Sequence, residues 1–373
     1  MEFPSAPSQI LESRIETMKK KIILMFLLVL GMTFSGCSKA SDKVENASRE
    51  EMETTVEEAP VSQEIFAMDT YMTVTAYGEN AQAAVDESIK EIQRLDTLLS
   101  ATTETGEVYQ VNQAGGGSLS EDSMYLLDRA LEINEETDGA FNVTIFPVME
   151  AWGFINDEFS VPSQEELENK LALVNIDGIE IDEKNSAVTF TKEGMAIDFG
   201  GIAKGYTSTR VADIFRENGI GNGLINLGGN VHVVGTKTDG SKWRVGIQNP
   251  ENDSEYIGVL TVSDSAVITS GGYERYFEEE GITYHHIIDP STGYPAENGL
   301  ISVTIVSKDG TLADGLSTSL YVMGLEKAEQ YWREHSEEFD AILLTEGNEL
   351  YVTEGITEDF SSDQEFHVIM KEK

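Results

Sequence analysis

Apolar residues recur every three to four positions in several stretches of the chain, which is the pattern of helices with one buried face. The longest such stretch is Gln82–Leu99. Serines with N-cap character begin two more predicted helices, over residues 120–137 and 163–173. Two further helices are predicted over residues 203–218 and 313–323. The inward positions of the first helix are Val85, Ile89, Ile92, Leu95 and Leu99.

Runs rich in Val, Ile, Thr and Tyr predict strands between these helices. Phe66–Tyr77 is predicted as one strand, and Ala196–Phe199 as a short strand that brings Asp198 to its end. Ile282–Ile288 is predicted as a strand, and Ser100–Gly117 as a loop. Helices and strands in this arrangement favour an α+β fold. Further strands are predicted over residues 188–190, 224–227, 243–248, 257–262, 266–269, 300–306, 341–344 and 350–353.

The stretch Ala196–Gly235 places a carboxylate, a glycine turn and a helix N-terminus together. Asp198 precedes Gly200-Gly201, and Lys204 lies in the first turn of the helix that follows. Free N–H groups and the helix dipole favour anions at such a place. The stretch contains neither a P-loop nor a G-x-G-x-x-G motif. The alternative is a strand-to-helix turn needed only for folding.

Asp314 and Thr318 lie four positions apart in the predicted helix 313–323, so they share one helical face. A carboxylate and a hydroxyl placed in this way can both reach one hard cation. The alternative is structural: an aspartate favoured by the helix dipole and a threonine bonded to a backbone carbonyl. The residues by themselves leave both possibilities open.

The chain of 373 residues carries a formal net charge of −42, which argues against nucleic-acid binding, since phosphate contacts need clustered Lys and Arg. An anionic ligand would require positive charge gathered at one place, from a metal ion, a lysine or backbone N–H groups. Cys37 is the only cysteine, so an intramolecular disulfide is impossible.

The N-terminal region has the features of a bacterial lipoprotein signal. Lys19-Lys20-Lys21 precede the apolar run Ile22–Phe34, and Ser35-Gly36 stand directly before Cys37. We expect a signal peptide over residues 18–36 and lipidation with palmitate at Cys37. A flexible, acidic tether over residues 37–62 and a domain over residues 63–373 would follow. Because Met18 is the natural start for such a signal, we expect residues 1–17 to be non-native or to reflect a mis-set start. The alternative is an ordinary signal peptide with an incidental cysteine.

Taken together, these motifs resemble the ApbE family of FAD:protein FMN transferases, over nearly all of the mature chain. The matching segments occur in the order of the family. They are Met68-x-Thr70; Gly139-Ala140-Phe141; Ile197-Asp198; Ala203-Lys204-Gly205-Tyr206; Asn226-x-Gly228-Gly229-Asn230; Thr269-Ser270-Gly271; His286-Ile287-Ile288-Asp289-Pro290 with Thr292-Gly293; and Ala313-Asp314-Gly315 with Thr318.

The resemblance implies a two-lobed fold with a mixed, largely antiparallel sheet, flanking helices and a flavin cleft between the lobes. It implies an enzyme that uses Mg²⁺ to split FAD and attaches FMN to a Thr or Ser of an extracytoplasmic redox protein, releasing AMP. His286 matches the general base, and Gly201, Asp314 and Thr318 match the metal site. The flavin-binding positions are matched by Met68, Ala140, Phe141, Asn142, Asp198, Lys204 and Ile288.

Three residues depart from the family pattern. Asn142 stands where many members have Asp, and Ser317 replaces an Asp of some relatives. Thr102 falls where relatives often carry an aromatic ring, which Tyr109 is a candidate to replace. Two other functions stay open: an FAD pyrophosphatase that gives FMN and AMP, and a flavin-binding lipoprotein without turnover. In each case we expect anchoring on the extracytoplasmic face of the cell membrane.

Overall fold

The computed structural model describes residues 59–372, and Cys37 with the predicted signal peptide lies outside this range. The strands are β1 Val61–Ala67, β2 Thr70–Ala76, β3 Gly116–Ser118, β4 Ile179–Asp182, β5 Ala187–Phe190, β6 Asn222–Leu227, β7 Asn230–Gly235, β8 Trp243–Asn249, β9 Asn252–Val262, β10 Ser265–Gly271, β11 Tyr276–Glu279, β12 Ile282–His285, β13 Leu300–Ser307, β14 Phe339–Thr345, β15 Leu350–Thr353, β16 Phe360–Ser361 and β17 Phe366–Ile369. Nine of them form one sheet in the order β1-β2-β6-β7-β10-β13-β14-β15-β17, antiparallel except between the last two strands. The α+β class and the mixed, mainly antiparallel sheet are thus confirmed.

Eight α-helices flank the sheets within residues 59–372, and none of them is long and apolar enough to cross a membrane. The predicted helix at Gln82–Leu99 is confirmed, and its five inward positions are buried. Ser120 and Ser163 accept hydrogen bonds from backbone N–H groups as N-caps, as predicted. The helices are α1 Ala81–Leu99, α2 Glu107–Ala114, α3 Glu121–Glu136, α4 Phe146–Ala151, α5 Gln164–Leu171, α6 Ala203–Glu217, α7 Gly310–Met323 and α8 Leu325–His335; the 3₁₀ turns are Val143–Ile145, Ile176–Gly178 and Glu354–Ile356.

The prediction of one strand over Phe66–Tyr77 is wrong, because the chain turns back at Met68 and Asp69. These two residues have φ of 47° and 58° and join β1 to β2 as a two-residue hairpin turn. A two-residue hairpin turn of type I′ has positive φ at both central positions, which Gly, Asn and Asp usually provide. Here Asp96 on α1 accepts a hydrogen bond of 2.8 Å from the Met68 N–H, which fixes the turn. β1 also begins at Val61, so the fold takes in the last two residues of the predicted tether.

Two other segments differ from their prediction. Ser100–Gly117 contains α2, which is too short to show a helical period and buries only Val108 and Val111. Ala196–Phe199 joins no sheet, because the Asn112 side chain bonds both backbone groups of Ile197, at 2.8 Å each. The Asn112 side chain therefore supplies the backbone hydrogen bonds that a neighbouring strand would otherwise make.

Both faces of the nine-stranded sheet are covered by apolar packing. On one face, α1 and α6 pack against β1, β2 and β6. On the other face, the small sheet of β8, β9 and β16 covers the middle strands. The four predicted inward residues of α6 are all buried: Ala203, Val211, Ile214 and Phe215. Gly219 follows the end of the helix with φ 73°, as predicted.

Candidate active site

One cavity of about 1230 Å³ gathers every predicted site residue in the part of the chain that the structure describes. These eleven residues come from segments that are far apart in the sequence. The turn between β1 and β2, the first turn of α6, the segment after β12 and the middle of α7 all reach the same space. The residues are Met68, Ala140, Phe141, Asn142, Asp198, Gly201, Lys204, His286, Ile288, Asp314 and Thr318.

Asp314 is held from two sides in the wall of this cavity. One carboxylate oxygen accepts a hydrogen bond from the Gly205 N–H at 2.8 Å, and the other accepts one from Asn230 Nδ2 at 3.0 Å. Gly205 allows α6 to approach α7 this closely, because a Cβ there would lie 2.1 Å from the Gly310 carbonyl oxygen and 2.5 Å from the Asp314 Cβ. The helix contact therefore fixes the direction of the carboxylate.

The charge around Asp314 is balanced by Lys204. Burial raises the pKa of the Asp314 carboxyl, while the positive charge of Lys204 and the bond from the Gly205 N–H oppose that rise. Asp314 lies in the middle of α7, which begins three residues before the predicted start and has Asp309 as its N-cap. The proposed alternative for Asp314, an aspartate at the helix N-terminus, therefore does not apply.

Uncharged oxygen atoms line the cavity on α7 and β10, the helix that carries Asp314 and a strand of the nine-stranded sheet. The Thr318 hydroxyl lies 3.4 Å from the Ser270 hydroxyl, and a Cβ on Gly201 would lie 3.7 Å from Thr318 Oγ1. Residues 59–372 contain no cluster of three or more His, Cys, Asp or Glu side chains that suits a metal ion. A single carboxylate with hydroxyl and carbonyl oxygens nevertheless fits Mg²⁺, which keeps few protein ligands and binds substrate phosphates as well.

His286 follows the end of β12 rather than lying within the predicted strand. Its Nδ1 lies 3.1 Å from the Arg275 carbonyl oxygen, and its backbone N–H donates to the same oxygen at 3.0 Å. Since a carbonyl only accepts, Nδ1 carries the proton and Nε2 is left with its lone pair. Burial lowers the pKa of His286 to about 4, so the ring is neutral near pH 7.

The proposed flavin positions form another part of the wall. Asp198 accepts a hydrogen bond from the Gly200 N–H at 3.0 Å, and burial raises its pKa. Asn142 caps the 3₁₀ turn through its side-chain oxygen, which accepts from the Thr144 N–H and hydroxyl. A neutral side chain at position 142 therefore still performs a capping role that an aspartate could fill.

Thr102 and Ser317 are the other two residues that depart from the family pattern, and the structure shows where each lies. Thr102 lines the cavity as a small polar side chain, whereas Tyr109 is not among the residues that line it. The proposed replacement of the missing aromatic ring by Tyr109 is therefore wrong. Ser317 is fully buried; its hydroxyl donates to the Asp314 carbonyl oxygen at 2.8 Å and lies 2.7 Å from that of Ser270.

Several residues of the cavity escape prediction from the sequence. Glu274 lines it within a turn after β10, where protein surrounds the carboxyl and raises its pKa to about 7, against the positive charge of Lys204. Arg244, Gln248 and Tyr256 line another wall on β8 and β9. A turn and a pair of alternating strands give no signal of a site, so only the fold reveals these residues.

The chain is similar in sequence to proteins of known function. The sequence model of the ApbE family matches residues 68–343. An FAD:protein FMN transferase of Klebsiella pneumoniae is 36% identical over 266 residues, covering 70% of this chain and 82% of the relative. One of Treponema pallidum is 32% identical over 313 residues, covering 78% and 85%.

Two solved structures are similar in fold. The ApbE protein of Thermotoga maritima superposes with a TM-score of 0.75 at 32% identity, covering 80% of this chain and 98% of that one. The flavin transferase ApbE of Vibrio cholerae superposes with a TM-score of 0.72 at 26% identity, covering 81% and 99%. The match over residues 68–343, which extends from the Met68 turn through the helix that carries Asp314, means that this chain belongs to the ApbE family.

Proposed function

We propose that this protein is a Mg²⁺-dependent FAD:protein FMN transferase. It would split the pyrophosphate of FAD, attach FMN through a phosphoester to a Thr or Ser of an acceptor protein, and release AMP. The observation that carries this proposal is the meeting of Lys204, His286, Asp314 and Thr318 in one cavity. Family membership and the names of the similar transferases support the same reaction.

His286 is the group placed to take the proton of the acceptor hydroxyl. A hydroxyl is a poor nucleophile until a base removes its proton. The neutral ring with its proton fixed on Nδ1 presents Nε2 as the acceptor. A bound pyrophosphate adds negative charge to the cavity, which favours the protonated ring that forms as the proton moves.

The residues that would hold Mg²⁺ are Asp314, Thr318 and the backbone carbonyl of Gly201. When bound, the ion would neutralise charge on the phosphates during phosphoryl transfer. Asp314 retains lone pairs for this purpose, since each of its oxygens accepts one hydrogen bond from the protein. Lys204 in the first turn of α6 adds a second positive charge toward the phosphates.

The N-terminal sequence supports a proposal for the location of the enzyme and of its acceptor. Lipidation at Cys37 after removal of residues 18–36 would anchor the protein on the extracytoplasmic face of the membrane. The acceptor would then be an extracytoplasmic redox protein. The acidic residues of the tether would leave the domain free to reach it.

Mass spectrometry of an acceptor domain incubated with the purified enzyme, FAD and Mg²⁺ tests the proposal. The expected result is an acceptor whose mass increases by that of FMN less one water, with release of AMP. Free FMN produced equally with and without acceptor would instead identify an FAD pyrophosphatase. FAD that is bound but never split would identify a flavin-binding protein without turnover.

A further inference from the structure

Two segments of the cavity wall belong to no helix or strand. Residues 139–142 follow α3 and present Ala140, Phe141 and Asn142, and residues 196–199 present Asp198. These four are candidate flavin positions. Backbone of this kind lacks the regular hydrogen bonds that fix the direction of side chains in helices and sheets, so other groups must supply them.

Asn112 on α2 supplies these bonds to the second segment. Its Nδ2 donates to the Ile197 carbonyl oxygen and its Oδ1 accepts from the Ile197 N–H, both at 2.8 Å. A residue of an antiparallel strand exchanges the same two bonds with its partner. Ile197 and Phe199 are fully buried, and Asp198 between them lines the cavity, so the segment alternates as a strand does.

The peptide group that joins Ile197 to Asp198 is bonded at both of its polar atoms. Its carbonyl oxygen accepts from Asn112, and its N–H donates to the Val143 carbonyl oxygen at 2.8 Å. These two bonds fix the plane of the peptide group. They therefore fix the direction in which the Asp198 side chain leaves the backbone.

Asn134 on α3 holds the first segment in a similar way. Its Nδ2 donates to the Phe141 carbonyl oxygen at 2.6 Å. Val143, which accepts from the Asp198 N–H, follows this segment directly, so the two segments are also bonded to each other. Neither Asn112 nor Asn134 is among the residues that line the cavity.

We propose that Asn112 and Asn134 are positioning residues for the flavin, Asn112 acting through Asp198 and Asn134 through the backbone at Phe141. The proposal rests on the proposed function, since it assumes a flavin in the cavity. Binding groups must be held within about 0.5 Å of their productive position by the residues behind them. In this wall two amide side chains do what strand pairing does elsewhere in the fold.

The amide is required at position 112 because the segment needs one donor and one acceptor from the same side chain. An aspartate has the same shape but no donor, and it would bring a negative charge against the Ile197 carbonyl oxygen. The buried carbonyl would then lose its partner, and the peptide group would turn away from the carboxylate. Asn112→Asp is therefore a substitution that changes direction rather than size.

A double-mutant cycle measured by equilibrium titration of the full-length protein with FMN tests the role of Asn112. Asn112→Asp is expected to weaken FMN binding by about tenfold. In an Asp198→Ala background the same substitution is expected to change FMN binding by less than about twofold, because the side chain through which it acts is gone. Asn112→Ser, carried through the same cycle, tests the same dependence without the added charge.

Two further variants separate positioning from a general effect on folding. Asn134→Asp is expected to weaken FMN binding in both backgrounds, since it acts through Phe141 and not through Asp198. The matched control is Asn222→Asp, which removes a bond of the same kind, from Nδ2 to the Thr236 carbonyl oxygen at 2.7 Å, at a residue that does not line the cavity. This control adds the same charge and should leave FMN binding unchanged. Urea unfolding of each variant shows that the titrated protein is folded.

Two results would overturn the positioning role. One is an Asn112→Asp protein that binds FMN as tightly as the Asn222→Asp control. The other is an equal loss of FMN binding with and without the Asp198 side chain, which would mean that Asn112 serves the fold alone. In both cases a wild-type protein that splits FAD with Mg²⁺ keeps the proposed function intact. A wild-type protein that binds neither FAD nor FMN would remove both proposals.

Discussion

Nδ1 of His286 lies 3.1 Å from the carbonyl oxygen of Arg275, and this contact determines which ring nitrogen of the histidine can act as a base. Arg275 is itself fixed, because its guanidinium forms an ion pair of 2.7 Å with Asp157 and lies 5.9 Å from the centre of the Phe154 ring. The Arg275 side chain thus ties the residue whose carbonyl orients His286 to the segment that carries Phe154 and Asp157. The sequence motif makes His286 a candidate base, and the Arg275 carbonyl determines its tautomer.

His286→Ala is expected to reduce FMN transfer by about 10²- to 10⁴-fold while FAD binding changes little, because the ring acts on the acceptor hydroxyl. Transfer is measured by the mass of the acceptor, and binding by titration with FAD in the absence of Mg²⁺. His335→Ala, at the end of α8, is the matched control and should leave transfer unchanged. An equal loss of FAD affinity and transfer would indicate that His286 has a structural role.

Asp314→Ala is expected to abolish FAD cleavage that depends on Mg²⁺, because it removes the one carboxylate of the proposed metal site. A chelator should have the same effect on the wild type. The control is Asp309→Ala on the same helix, which removes the N-cap and should cost about 1 kcal/mol of stability without changing the Mg²⁺ requirement. If Asp314→Ala cleaved FAD with an unchanged response to Mg²⁺, the metal assignment would be wrong.

Gly205→Ala is expected to destabilise the protein by about 1–3 kcal/mol, because the added methyl group meets the Gly310 carbonyl oxygen at 2.1 Å and forces α6 away from α7. Urea unfolding followed by circular dichroism measures the change. Gly221→Ala is the control, since a Cβ at that position meets nothing within 4 Å. Similar midpoints for the two variants would contradict the close helix contact.

His232→Leu is expected to make the protein less sensitive to acid. Burial lowers the pKa of His232 from 6.5 to about 4. Between pH 4 and pH 6.5 the unfolded chain therefore binds a proton at this histidine that the folded protein does not. Stability from this site is complete above pH 6.5 and falls by up to about 3 kcal/mol as the pH drops to 4. Ser208, the neighbour of the ring at 3.1 Å, keeps its bond to the Gly205 carbonyl in the variant.

The measurement for His232→Leu is the free energy of unfolding at several pH values between 4 and 7. The variant should lose less stability than the wild type over this interval. Parallel curves would mean that the histidine takes up its proton in the folded protein as easily as in the unfolded chain.

Cys37→Ser is expected to release the protein from the membrane fraction, because the substitution removes the sulfur that would carry lipid. Fractionation of cells with detection of the protein, together with mass spectrometry of the N-terminus, checks this. A variant that stays with the membrane to the same extent as the wild type would mean that the anchor lies elsewhere.

The sequence by itself determined the parts of this protein that depend on local pattern. The apolar period of Gln82–Leu99 and the N-caps at Ser120 and Ser163 placed three helices closely, since helix formation and capping depend on neighbours within a few residues. The ordered family motifs also indicated the candidate site residues, and those within residues 59–372 all line one cavity.

Only the tertiary structure decided features that depend on contacts between distant segments. Met68 and Asp69 turn the chain without glycine because Asp96, 28 residues from Met68, accepts a hydrogen bond from the turn. Asp314 obtains its geometry from Gly205, 109 residues away. Arg244, Tyr256 and Glu274 join the site through strand pairing and a turn. A pattern of hydrophobic and polar positions records which face is buried, but it contains no information on which other segment covers that face.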